Sequence, residues 1–154
     1  MSDHVATPSA DPRVAWHNLL QMSSRVLREF ERRLDQRHRI AVTEFDVLIT
    51  LDTNAPLRMT DLANAVLLSS GGLTRLVGRL EERGLVRREP DAADGRSYQA
   101  SLTEEGRRAL AEARVTHDAV IDELLGAPLA DEELRTLAGI LGRALAAPRG
   151  GGAS

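Results

Sequence analysis

The chain has 154 residues, 42% of them hydrophobic and 28% charged, with a formal net charge of −3. That length favours one domain with a real core, and with only 3% aromatic residues the core must be mainly Leu, Val and Ala. No apolar run reaches the ~18 residues of a membrane span. Met1-Ser2-Asp3-His4 lacks the basic and apolar regions of a secretory signal, so the cytoplasm is expected. The absence of cysteine excludes disulfides, thiol catalysis, Cys-ligated zinc and thiol redox sensing.

Residues 1–12 hold Pro8 and Pro12 with little to bury and read as a flexible tail. Over residues 14–38 Val14, Leu19, Leu20, Val26, Leu27, Phe30 and Leu34 recur at helical spacing, which predicts a long first helix. Thr43 is placed to cap a second helix with Phe45, Val47, Leu48 and Leu51 inward. Asn54-Ala55-Pro56 stops it, and Leu57-Arg58-Met59 reads as an extended link. Thr60 is placed to cap a third helix, and Ser69 or Ser70 a fourth that runs to about Arg83. Leu73, Leu76, Val77 and Leu80 give that fourth helix one buried stripe, and Gly84 ends it. Residues 85–89 and 97–102 read as two strands around the turn dipeptide Asp94-Gly95. Thr103 caps a fifth helix, broken at Gly126-Ala127-Pro128. Asp131-Glu132-Glu133 opens a sixth, and residues 147–154 form a Gly-rich tail.

The fold class this predicts is mainly α with a small β-hairpin, a helix-turn-helix with flanking helices. The stretch 69–99 carries six arginines against five acids, while 103–146 carries nine acids against five arginines. The acidic excess therefore lies away from the helix-turn-helix, and net charge is not the local field. All 20 basic residues are arginine, a bias that reads as coding composition; a phosphate-binding preference for Arg is the alternative. Gly71-Gly72 at the start of an exposed helix costs roughly 1 kcal/mol each relative to Ala. Their bare backbone would admit phosphates or bases, and Thr74, Arg75 and Arg79 lie on the faces left outside the buried stripe. Arg96 at the hairpin tip can reach an adjacent minor groove. Asp94 can hold it by a carboxylate pair.

The span 14–145 resembles the MarR family of dimeric winged-helix transcription factors. The residues that carry the resemblance are L-R-M-T-D-L-A, S-S-G-G-L-T-R-L-V-G-R-L-E-E-R-G-L-V and D-G-R-S-Y-Q-A-S-L-T-E-E-G. Within them Asp94, Arg96, Leu102, Thr103 and Gly106 match the family's D-x-R and L-T-x-x-G. The resemblance implies a winged helix-turn-helix over 41–102 and helical dimerisation regions over 13–40 and 103–146. It also implies a wing arginine at Arg96. The DNA-contacting set is then Ser69, Ser70, Gly71, Gly72, Thr74, Arg75, Arg79, Asp94, Arg96 and Ser97. Gly95 stands where many members have Asp or Arg, which points to a more mobile wing tip.

The resemblance further implies a homodimer through Val14, Leu124, Leu125, Leu134, Leu137, Ile140 and Leu141. The apolar row of the sixth helix agrees, since exposed rows of that kind usually find a partner; the alternative is packing within one subunit. A two-fold dimer reads an inverted repeat of double-stranded DNA, with half-sites about one helical turn apart. Family members often bind small aromatic or phenolic anions, and Arg13, Trp16, His17, Leu20 and Gln21 are the candidates here, from a region that lines the binding cleft in some relatives. The alternative places Trp16 in the dimer core and leaves His17 solvated. No cofactor, metal or membrane partner is expected. His4, His17, His38 and His117 lack metal-ligand spacing, and no hydrolase, P-loop or dinucleotide motif argues for an enzyme. The expected function is a ligand-released repressor; a winged-helix protein-interaction module without operator binding is the alternative.

Overall fold

The computed structural model describes residues 10–91, 94–95 and 97–147. Six α-helices and three β-strands lie among them. The chain divides into two compact units, residues 1–117 and 118–154.

In the first unit, helix α1 spans Pro12–His38. Asp11 caps it, its carboxylate accepting from the Arg13 amide at 2.8 Å, and Pro12 supplies a ready-made first-turn φ. The chain is thus already ordered at the end of the segment expected to be a tail. Arg37 and His38 lie at the negative end of the helix. Only Phe30 and Leu34 of α1 are buried. Val14, Leu19, Leu20 and Leu27 are exposed.

Helix α2 is Val42–Asn54. Thr43, expected as its cap, sits inside the first turn. Glu44 closes the helix start instead, its Oε2 accepting from the Ala41 amide at 3.0 Å. Strand β1 (Leu57–Arg58) follows, then α3 (Met59–Ala65) and α4 (Ser70–Glu82). Thr60 likewise lies inside its helix, whose N-cap position is Arg58. Strands β2 (Val86–Pro90) and β3 (Tyr98–Leu102) complete a sheet of order β1-β3-β2. The expected hairpin is therefore a three-stranded antiparallel sheet, with Leu57 opposite Ala100 and Val86 opposite Leu102.

Leu34, Ile40, Leu48, Leu51, Leu62, Leu73 and Leu80 are fully buried beside Val47, Val77 and Val86. Each such side chain contributes roughly 1.5–3 kcal/mol by leaving water. Phe30 and Phe45 meet edge to face at 4.9 Å, and the His117 ring lies 5.0 Å from Phe30. His38 Nε2 pairs with the buried Thr116 hydroxyl at 2.8 Å.

Helix α5 (Glu104–Ile121) crosses from the first unit to the second. A π-helical turn, Asp122–Gly126, extends it up to the Gly-Ala-Pro break expected from the sequence. Helix α6 is Asp131–Ala146, opened by Glu133 accepting from the Ala130 amide at 2.8 Å. It has no buried residue. Among the described residues no helix is long and apolar enough to cross a membrane.

Candidate nucleic-acid interface

Helix α4 is held from behind and presented from in front. Leu73, Leu76, Val77 and Leu80 are buried, whereas Ser70, Gly71, Thr74, Arg75 and Arg79 are exposed. Ser69 is the N-cap, its Oγ accepting from the Gly72 amide at 3.2 Å. A Cβ on Gly72 would stand 3.1 Å from that Oγ, so the second glycine leaves room for the cap, while a Cβ on Gly71 would meet nothing. Thr74 Oγ1 donates to the Ser70 carbonyl at 2.8 Å, which leaves its lone pairs outward. Arg75 has no hydrogen-bond or ion-pair partner among the described residues. The exposed N-terminal turn combines amide donors, the positive end of the helix dipole and a guanidinium.

Arg79 behaves differently from Arg75. Its Nε lies 3.7 Å from Glu44 Oε1, and Arg83 Nη1 donates to Glu44 Oε2 at 3.0 Å. Glu44, buried on α2, thus draws both arginines toward the body of the protein. Arg88 ties β2 to the same helix through Glu81, at 2.8 Å from Nε and 2.5 Å from Nη2. The Arg88 guanidinium holds the Glu81 carboxyl below its usual range.

The turn before α4 carries an anomaly. Leu67 has φ +55° and is 91% exposed. That conformation disfavours a residue with a Cβ, and packing in this chain returns nothing for it.

At the wing, the Asp91 amide donates to the Ser97 carbonyl at 2.9 Å, and the Ser97 amide donates to the Asp94 carbonyl at 2.9 Å. Ser97 Oγ donates to that same carbonyl at 3.0 Å. Asp94 and Gly95 are exposed. Arg96 lies outside the described residues. The Asp91 carboxylate is buried and accepts from Arg58 Nε at 2.5 Å.

Behind the wing, Thr103 joins α5 to the end of α4. Its Oγ1 donates to the Gly84 carbonyl at 2.6 Å and accepts from the Gly106 amide at 2.9 Å. Its own amide donates to the Leu85 carbonyl at 3.1 Å. Gly84 takes φ +71°, the turn that ends α4. Gly106 packs directly on the Leu85 backbone.

The family model described as MarR family matches residues 40–97. The transcriptional regulator HosA of Escherichia coli is 31% identical over 119 residues, covering 77% of this chain and 86% of that protein. The chain belongs to the MarR family. PecS, an HTH-type transcriptional regulator of Dickeya dadantii, is 34% identical over 127 residues, 78% of this chain and 75% of that protein. An HTH-type transcriptional regulator of Bacillus cereus is 34% identical over 98 residues, and the match spans only 62% of its length. Among solved structures, AbsC of Streptomyces coelicolor superposes with a TM-score of 0.71 at 27% identity, over 89% of this chain and 93% of that one. Sco3205 of the same organism, solved in complex with DNA, gives 0.72 at 25% identity over 94% and 91%. These relatives are transcriptional regulators rather than enzymes.

In this MarR-family chain the five ligand candidates share the first turns of α1. Trp16 is 60% exposed and Leu20 44%. Arg13 turns to Asp11 at 3.4 Å, and the side chains of His17 and Gln21 pair with each other. None of them lines the groove formed by Leu51, Pro56, Arg87, Gln99, Ser101 and Arg107. Of the residues expected at a dimer contact, Val14 and Ile140 are exposed, and Leu124, Leu125, Leu134, Leu137 and Leu141 are half-buried. Sequence reasoning missed Glu44 and the Arg58–Asp91 pair. Ala41 and Glu44 form only half of a capping box, since alanine has no side-chain acceptor to signal it, and Arg58 and Asp91 lie too far apart in sequence to be paired by inspection.

Proposed function

We propose that this chain is a DNA-binding transcriptional repressor. It works in the cytoplasm as a homodimer on an inverted repeat, and a small aromatic or phenolic anion releases it. The observation that carries the reading is the exposed turn of α4: a capped helix start with bare glycine backbone, Thr74, and an arginine without a partner among the described residues. The DNA complex of Sco3205, a relative of the same fold, supports it. Arg75 and the wing arginine Arg96 supply base and phosphate contacts, with Ser69, Ser70, Gly71, Gly72, Thr74 and Ser97 beside them. Arg79 contributes less, because Glu44 holds it.

The half-exposed apolar row of α6, with the exposed apolar positions at the start of α1, supports a homodimer. A ligand shifts DNA affinity only by its own preference between two dimer conformations.

The test begins with selection of bound sequences from random DNA, followed by titrations at several salt concentrations. Affinity should fall steeply with salt and favour an inverted repeat. Arg75→Ala and Arg96→Ala should each cost about 1–3 kcal/mol on the selected site. Salt-insensitive or absent binding would refute the DNA reading and favour a protein-interaction module. Phenolic anions that leave a preformed complex intact would refute the ligand half.

A further inference from the structure

We infer that Arg58 is a positioning residue of the wing, acting on DNA binding through the buried carboxylate of Asp91. The inference rests on the DNA-binding reading above. It adds residues from outside both α4 and the wing tip.

In the order β1-β3-β2, Arg58 lies on one edge strand, and Asp91 directly follows the other. Arg58 is opposite Gln99, which in turn is opposite Glu89. The Arg58–Asp91 bridge therefore spans the central strand and clamps the whole sheet at its wing end. Asp91 is also the last residue before the wing loop, and its amide bonds the Ser97 carbonyl that closes that loop. Fixing the Asp91 side chain thus fixes both feet of the wing. The side chain is 2% exposed, and a carboxylate buried to that degree requires a charged donor. Arg58 Nε supplies one at 2.5 Å. Arg58 itself is 47% exposed, so it stands in solvent on one side and on the wing root on the other.

The sign of one substitution separates positioning from simple charge. Asp91→Asn removes a negative charge beside a DNA-facing loop. Field effects alone would tighten binding to a polyanion. Positioning predicts the reverse: without the charge-assisted bond the wing feet loosen, and affinity for the selected site falls about five- to tenfold.

The experiment measures Asp91→Asn, Arg58→Ala, Arg58→Lys and the double variant Arg58→Ala/Asp91→Asn. Binding to the selected duplex is titrated from low to high salt. Amide hydrogen exchange across residues 91–99 is read without DNA. The expected result is weaker binding for each single variant, a salt slope unchanged for Asp91→Asn, and a double variant no weaker than the singles. Exchange in the wing loop should speed up while that of α4 stays slow. Arg58→Lys keeps the charge but lacks Nε, and should fall between Arg58→Ala and the unaltered chain. Equal or tighter binding by Asp91→Asn with unchanged exchange would overturn the proposal. So would a salt slope lowered by about one in Arg58→Ala with additive effects, since that marks a direct phosphate contact. If the unaltered chain binds no selected duplex, the DNA reading fails instead, and the exchange measurement still decides whether Arg58 holds the wing.

Discussion

Gly106→Ala tests the joint between α5 and the end of α4. A Cβ at this position would lie 1.9 Å from the Leu85 carbonyl oxygen and 2.9 Å from its carbon. Both are backbone atoms, so no side-chain rotation relieves the overlap. An ordinary carbon–oxygen contact is about 3.3 Å, so the two segments must part by more than about 1 Å. That movement pulls Leu85 from the Thr103 amide and Gly84 from the Thr103 hydroxyl, bonds of 3.1 and 2.6 Å. Each such bond contributes about 1 kcal/mol, and overpacking adds about 1–3 kcal/mol. Alanine returns about 1 kcal/mol through helix propensity. The expected net loss is about 2–4 kcal/mol, or roughly 5–15 °C in Tm for a chain of this size. Thermal and urea unfolding at one fixed protein concentration measure it. Propensity alone would raise Tm slightly, so an unchanged or higher Tm refutes the argument that the joint has no room for a methyl group.

Three further outcomes are expected. Leu67→Gly should stabilise the chain by up to about 1 kcal/mol, because it relieves a left-handed backbone at a side chain that is 91% exposed; a lower Tm would mean that Leu67 packs against something in solution. Glu44→Ala should cost about 1–3 kcal/mol by removing the acceptor of the Ala41 amide, Arg83 and Arg79. It should also steepen the salt dependence of DNA binding as Arg79 is released, and an unchanged slope would exclude a latent role for Arg79. In acid, the depressed carboxyls of Glu29, at about 2 and held by Arg32 and Arg33, and of Glu81, held by Arg88, bind protons later in the folded chain than in the unfolded one. Their stabilisation is present above the ordinary value of 4.5 and fades as pH falls from there toward 2. Asp46, raised by burial, works in the opposite sense. Glu29→Gln/Glu81→Gln should flatten the fall in Tm between pH 4.5 and 2, by a small amount because both carboxylates are partly solvated.

What was legible in the sequence was what neighbours decide. Ser69 caps α4, Gly84 ends it and Thr103 opens α5, because each acts within about four positions along the chain or at a helix end. The buried stripe of α4 followed from periodicity alone. Strand β1 was not legible, since two residues carry no period. Thr43 and Thr60 have the right chemistry for caps, but each stands one or two places inside its helix. Periodicity put Arg79 on an outer face of α4, where it lies, but could not show its pairing with Glu44, which sits on α2. The Arg58–Asp91 pair joins residues 33 positions apart, a distance that local pattern cannot bridge.

A wing is a protruding β-ribbon, and an exposed ribbon invites another copy to add a strand to it. Here both outer strands of the small sheet discourage that. Strand β1 is only two residues long and follows Pro56, while β2 carries Arg87, Arg88 and Glu89 and ends on Pro90, which has no N–H to offer. Both edges of the small sheet therefore offer a further strand little free backbone to pair with.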